Sequence, residues 1–297
     1  FCRILINRNY FSRMETIETN SKTKRFGQVA IDIALFAALA FIILTIIGIP
    51  LWAMWESPGN GGANEIFYLI PLEALTLISV FLSAWVVWRF RKVSLAVWGR
   101  SLALRRKDVL AGILLAVVLY AVGFGISLLV GAVEVAGVAL NLSTLFISLG
   151  FCLLVAITEE LALRGFVLER MLQGGVNKFW ALFLSAALFS LIHIGNPNFD
   201  FLSFINLLLA GILLGSSYIY TRNLSFPIAL HWFWNWIQGP VLGYEVSGNK
   251  FCDGLLTLHL PEANLINGGA FGFEGSILCT VLMIAGTGVI LKIFGNH

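Results

Sequence analysis

Residues 145–168 read LFISLGFCLLVAITEELALRGFVL, an apolar run from Leu145 to Ile157 that passes through Thr158, Glu159, Glu160 and Arg164 into Gly165-Phe166-Val167-Leu168. About 20 apolar residues rising about 1.5 Å each cross about 30 Å of hydrocarbon, so this stretch is long enough to be a membrane helix. An ionisable side chain at the centre of such a helix costs about 2.5–3.5 kcal/mol, so each one needs a partner or a task. Glu160 and Arg164 are four residues apart, one turn along a helix, with the acid first, which favours an ion pair within the helix. Glu159 lies about 100° around the helix from Glu160 and is the carboxylate left for chemistry. The competing view is that all three charges form a buried structural network or line an aqueous vestibule.

The rest of the chain agrees with a lipid solvent. Of 297 residues 59% are hydrophobic and 12% charged, and the mean hydropathy is +0.89, whereas a soluble domain carries about a quarter charged residues. Hydropathy predicts eight helices near 29–53, 65–88, 109–132, 144–172, 179–195, 201–221, 226–243 and 275–294. Uninterrupted apolar runs of this length satisfy their backbones only as helices, which excludes a closed barrel. The expected fold is an all-α polytopic transmembrane bundle of about eight spans. Arg and Lys cluster before the first span, between the second and third (Arg89 to Lys107), and at Arg170, Lys178, Arg222 and Lys292, with Lys250 alone on the other side. The positive-inside bias then puts both termini in the cytoplasm. The formal charge of +3 describes a belt facing anionic lipid head groups and calls for no nucleic-acid partner.

Residues 1–28 form a polar tail, with 1–13 read as an upstream extension because Met14 heads a polar stretch, and 29–297 form one transmembrane domain. The run from Ile31 to Trp55 is too long for a signal h-region and is taken as the first span. Cys2, Cys152, Cys252 and Cys279 are scattered, without metal-ligand spacing or a disulfide framework. The segment 244–274, rich in Gly and Asn, is expected to be an outer loop.

Two further polar clusters fall in apolar helices. Phe189 and His193 are four apart at the end of the fifth helix, on one face; alone, His193 reads equally as an interfacial residue and Phe189 as packing. His231 and Asn235 are likewise four apart, flanked by Trp232, Phe233 and Trp234; the plainer alternative is an interhelical hydrogen-bonding pair. Glu159 would lie about 14 Å from the inner boundary, and His231 only about 6 Å unless the seventh helix is tilted or recessed. The four polar groups would then meet in a wet cavity in the inner half of the membrane. Glu73 is a stray carboxyl in the second helix, taken as a polar contact.

The three motifs, Glu159-Glu160 with Arg164, Phe189 with His193, and His231 with Asn235, resemble in order and spacing those of the CPBP (also ABI or CAAX amino-terminal protease) intramembrane endopeptidases, which include the type II CAAX prenyl endopeptidase. The resemblance covers residues 100–294, including the late stretch from Gly268 to Gly275. It implies that Glu159 is the general base that activates water, that His193 holds and polarises it, and that His231 and Asn235 stabilise the oxyanion. Glu160, Arg164 and Phe189 are supporting. Catalysis without a cofactor is the preferred expectation; zinc held by Glu159 or Glu160, His193 and His231 is the alternative, although no HExxH helix is present. The expected partners are membrane lipids and a membrane-associated, CAAX-like peptide or protein substrate. An inactive scaffold, an immunity protein and a transporter are the competing functions, and the absence of a ladder of ionisable residues through the other helices argues against a pump.

Overall fold

The computed structural model describes residues 25–50, 65–93, 101–261 and 264–295. The expected terminal tail and extension, and the orientation of both ends, lie largely outside them. The described chain holds eight helices close to the expected positions. They are α1 (Arg25–Pro50), α2 (Glu65–Arg91), α3 (Arg106–Leu129), α4 (Leu142–Gln173), α5 (Lys178–Leu191), α6 (Phe201–Thr221), α7 (Ser225–Trp236) and α8 (Ile277–Phe294). All except α5 and α7 are long and apolar enough to cross a membrane, and the protein is an integral, multi-pass, all-α membrane protein. The 12 residues of α7 continue past Trp236 as a π-helix over Ile237–Val241, which contains Pro240.

Local sequence sets the helix starts. Side chains of Asn141, Asn177, Asp200 and Ser276 accept from the backbone N–H groups of Thr144, Phe179, Ser203 and Cys279, capping α4, α5, α6 and α8. α6 ends at Arg222, which adopts a left-handed conformation at φ 49°.

Three ion pairs gather the helix ends that carry the basic belt. Buried Asp32 of α1 binds Arg91 of α2 at 2.7 Å and Arg170 of α4 at 2.8 Å, and Glu169 binds Arg222 at the end of α6 at 2.6 Å. These contacts put the basic ends of α2, α4 and α6 on one face, against the start of α1. Above them Phe36 stacks on Phe166 with ring centroids 4.0 Å apart.

α7 is wedged between α3 and α4. The indole N–H groups of Trp232 and Trp236 donate to the carbonyls of Leu149 and Leu145 in α4, and on the α3 side the backbones meet at Gly112. A Cβ there would lie 2.7 Å from the Phe226 carbonyl oxygen and 2.9 Å from the Leu230 nitrogen. Gly112→Ala is therefore expected to destabilise the protein by about 1–3 kcal/mol, lowering its thermal unfolding midpoint in detergent. Gly125→Ala, on the same helix with nothing within 4 Å, is the control that should leave the midpoint unchanged.

The outer segment departs from the expected loop. Leu256–His259 pairs antiparallel with Glu134–Val138 as a two-stranded ribbon, β2 on β1, and Gly269–Phe271 and Phe273–Gly275 form short 3₁₀ turns before α8. The β-branched Val135, Val138 and Thr257 suit strands, but runs this short inside a Gly-rich stretch carry little periodic signal.

Candidate active site

α4 is not α-helical throughout. After Glu160 its backbone widens into a π-helix over Leu161–Leu168 before returning to α-helix at Glu169–Gln173. π-helical turns are rare and concentrate at functional sites. This one begins immediately after the two carboxylates and includes Arg164. The expected ion pair is present: the Arg164 Nη1–H donates to Glu160 Oε1 at 2.7 Å, with both side chains buried. A second guanidinium nitrogen, Nη2, donates to the Gly211 carbonyl of α6 at 3.0 Å. α6 can approach because Gly211 and Gly215 face Ala186 and Leu182 of α5; a Cβ on Gly211 would sit 2.6 Å from the Ala186 Cα. Small residues four apart allow such close crossings in membranes, and this pair was readable in the sequence.

Glu160 does more than hold Arg164. The His231 Nδ1 lies 3.0 Å from Glu160 Oε1, and because a carboxylate only accepts, Nδ1 carries the proton. That contact turns Nε2 toward Glu159, whose Oε2 stands 3.9 Å away. The imidazole thus sits between the two acids. Glu159 is the partly exposed one, with 24% of its side chain accessible against 0% for Glu160, as the angular argument expects.

His193 lies just beyond the end of α5, in a turn rather than on the helix. The face shared with Phe189 survives because the Nδ1 of His193 lies 2.7 Å from the Phe189 carbonyl oxygen and the two rings pack 4.9 Å apart. Since a carbonyl only accepts, Nδ1 is again the donor, and Nε2 is the bare nitrogen of the neutral ring. Phe189 proves central. Its buried ring also carries Arg164 at 4.8 Å and meets the edge of His231 at 6.0 Å, a cation–π and aromatic contact set that fixes three polar side chains around one apolar plate.

Glu159, Phe189, His193, His231 and Asn235 all line one cavity of about 380 Å³. Its deep wall is apolar, from Leu207, Leu214 and Met283. Its exposed lining residues are Ile192, Asn249 and Lys250, at the ends of α5 and α7 away from the basic belt.

Sequence reasoning left Glu274 in a loop, yet it too lines the cavity. Its carboxylate accepts from the Trp234 indole N–H at 2.9 Å and from the Ser247 backbone N–H and hydroxyl at 2.9 and 2.8 Å. It thereby clamps the segment carrying Asn249 and Lys250 to α7. The only available signal was an acid within a Gly-rich run.

Cys152, Cys252 and Cys279 are buried and free. Among the described residues no three His, Cys, Asp or Glu side chains are arranged to hold a metal ion, and Glu160 Oε1 is already committed to Arg164 and His231.

Residues 141–237 match the family described as Type II CAAX prenyl endopeptidase Rce1-like. No curated protein and no solved structure gives a significant match. The matched segment runs from the cap of α4 to the end of α7 and contains all three motifs. The chain is thus a multi-pass membrane protein whose segment 141–237, about a third of its length, is similar to the type II CAAX prenyl endopeptidase family.

Proposed function

We propose that the protein hydrolyses a peptide bond of a membrane-associated, CAAX-like peptide by means of a water activated by Glu159. The observation that carries this reading is that Glu159, with 24% of its side chain accessible, lines one cavity with His193, His231 and Asn235. A water in that cavity can reach the accessible part of the carboxylate. Glu159 takes a proton from this water as it attacks the scissile carbonyl, then delivers it to the departing amine, so that water is split across the broken C–N bond. His193 accepts a hydrogen bond from the water through its bare Nε2.

Oxyanion stabilisation falls to the Asn235 amide and to His231. With Nδ1 held by Glu160, His231 donates from Nε2 only as the imidazolium. The apolar deep wall suits aliphatic side chains next to the scissile bond. Substrate reaches the site past the exposed lining residues Ile192, Asn249 and Lys250.

The test is purified protein incubated with peptides ending in a CAAX sequence, prenylated and unprenylated, with fragments identified by mass spectrometry. Asn235→Ala is expected to lower kcat about 10²–10³-fold, the effect of losing one oxyanion donor, with a smaller change in KM. An unchanged kcat would remove Asn235 from the mechanism. Chelator treatment should leave the wild-type rate intact; loss of activity restored by added zinc would favour the metal alternative. Flux through proteoliposomes that depends on Glu159, without peptide fragments, would support transport instead.

A further inference from the structure

The cavity carries a lysine at its mouth, on a segment that is held firmly in place. Lys250 is the only Lys or Arg among the described residues that line the cavity. It is also the only one in the sequence between Arg222 and Lys292, a stretch with four acids, Glu245, Asp253, Glu262 and Glu274.

Lys250 follows a tight turn. Val246 and Asn249 exchange backbone hydrogen bonds at 2.9 and 3.0 Å, and Ser247 and Gly248 between them have φ of 49° and 80°, the left-handed pair of a two-residue hairpin. A serine keeps that conformation where its surroundings impose it. Glu274 accepts from the Ser247 N–H and hydroxyl, Asn196 Nδ2 donates to the Ser247 carbonyl at 2.9 Å, and the Gly248 N–H donates to the Phe271 carbonyl at 3.0 Å. A Cβ on Gly248 would lie 2.1 Å from the Pro197 carbonyl oxygen, so the turn also abuts the segment after His193. On the other side of Lys250, buried Phe251 packs on Phe151 of α4 with ring centroids 5.3 Å apart. The Lys250 backbone is thus fixed between two anchors while its side chain stays exposed.

The ammonium group is within reach of a ligand. Its Nζ pairs with Asp253 Oδ1 at 3.1 Å, with 52% and 68% of the two side chains accessible, and an ion pair this exposed is weakly held. Deeper in the cavity the carboxylates of Glu159 and Glu274 repel an anion, so a carboxylate on a bound peptide is favoured at the mouth. We infer that Lys250 binds a carboxylate of the substrate there, in exchange for Asp253, and so fixes which way the peptide lies across Glu159. The carboxylate is the peptide's C-terminus or an acidic side chain. The inference rests on the reading of the cavity as a peptide-cleaving site and adds a residue outside the matched segment.

The test uses one peptide in three forms: with a free C-terminal acid, with a C-terminal amide, and as the amide with Glu in place of one residue near that end. Wild type should cleave a carboxylate-bearing form with kcat/KM about three- to tenfold above the plain amide, mostly through KM, and the gain should shrink as salt is added. Preference for the free acid names the C-terminus as the source; recovery by Glu names the side chain. Lys250→Gln should bring the three forms level without moving the unfolding midpoint, and Asp253→Asn, which removes the competitor, should widen the preference. Equal kcat/KM for all three forms in the wild type, or an undiminished preference in Lys250→Gln, overturns the inference. The same peptides, fluorescently labelled, are also titrated onto Glu159→Gln protein with and without Lys250→Gln. A carboxylate preference in binding that Lys250→Gln abolishes supports the inference even where no peptide is cut, and then only the hydrolytic reading fails. Equal or undetectable binding of the three forms overturns it.

Discussion

Arg164→Met should destabilise the folded protein by about 3–5 kcal/mol, because removing one member of a buried ion pair leaves the other charge uncompensated. Arg164 is fully buried, and its loss leaves Glu160 with only the His231 ring beside it, removes the link to the Gly211 carbonyl and empties the space over Phe189. Methionine fills much of the aliphatic volume but makes none of the hydrogen bonds. The measurement is the unfolding midpoint in detergent, followed by intrinsic tryptophan fluorescence. Adding Glu160→Gln to Arg164→Met should recover part of the loss, since the stranded charge is then gone. If Arg164→Met unfolds at the wild-type midpoint, the guanidinium is not the pillar of this part of α4.

Glu159→Gln should give the largest loss of activity, about 10²–10⁴-fold in kcat, the range attributed to a positioned general base. The side chain lines the cavity and holds no ion pair with Arg164, so an almost isosteric amide should leave stability near that of the wild type. Substrate affinity should change much less than kcat, because the interaction removed is one made in the transition state. The two substitutions therefore divide the adjacent acids and their partner by role. Arg164 and Glu160 are tested by unfolding, and Glu159 by turnover in a folded protein.

Much of this division was legible in the sequence. The spacing of Glu160 and Arg164 foretold their ion pair, and the angle to Glu159 foretold which carboxylate faces the cavity. Hydropathy placed eight helices, since an apolar run in lipid has few other options. The remainder depends on tertiary structure. No residue in Leu161–Leu168 announces a π-helix, whose wider turns follow from how α4 packs on its neighbours. The link from His231 to Glu160 crosses between helices with no local spacing to reveal it. Glu274 and the segment from Val246 to Phe251 looked like a loop because Gly and Asn conceal the hydrogen bonds that bring them over the cavity.

The most direct test of a carboxylate-activated water is single-turnover cleavage of a membrane-associated reporter peptide in water enriched in oxygen-18, comparing wild type with Glu159→Gln. The expected result is one heavy oxygen in the new carboxyl terminus of the wild-type product, and no product from the variant over the same interval. Labelled fragments released by Glu159→Gln as fast as by the wild type would contradict the account.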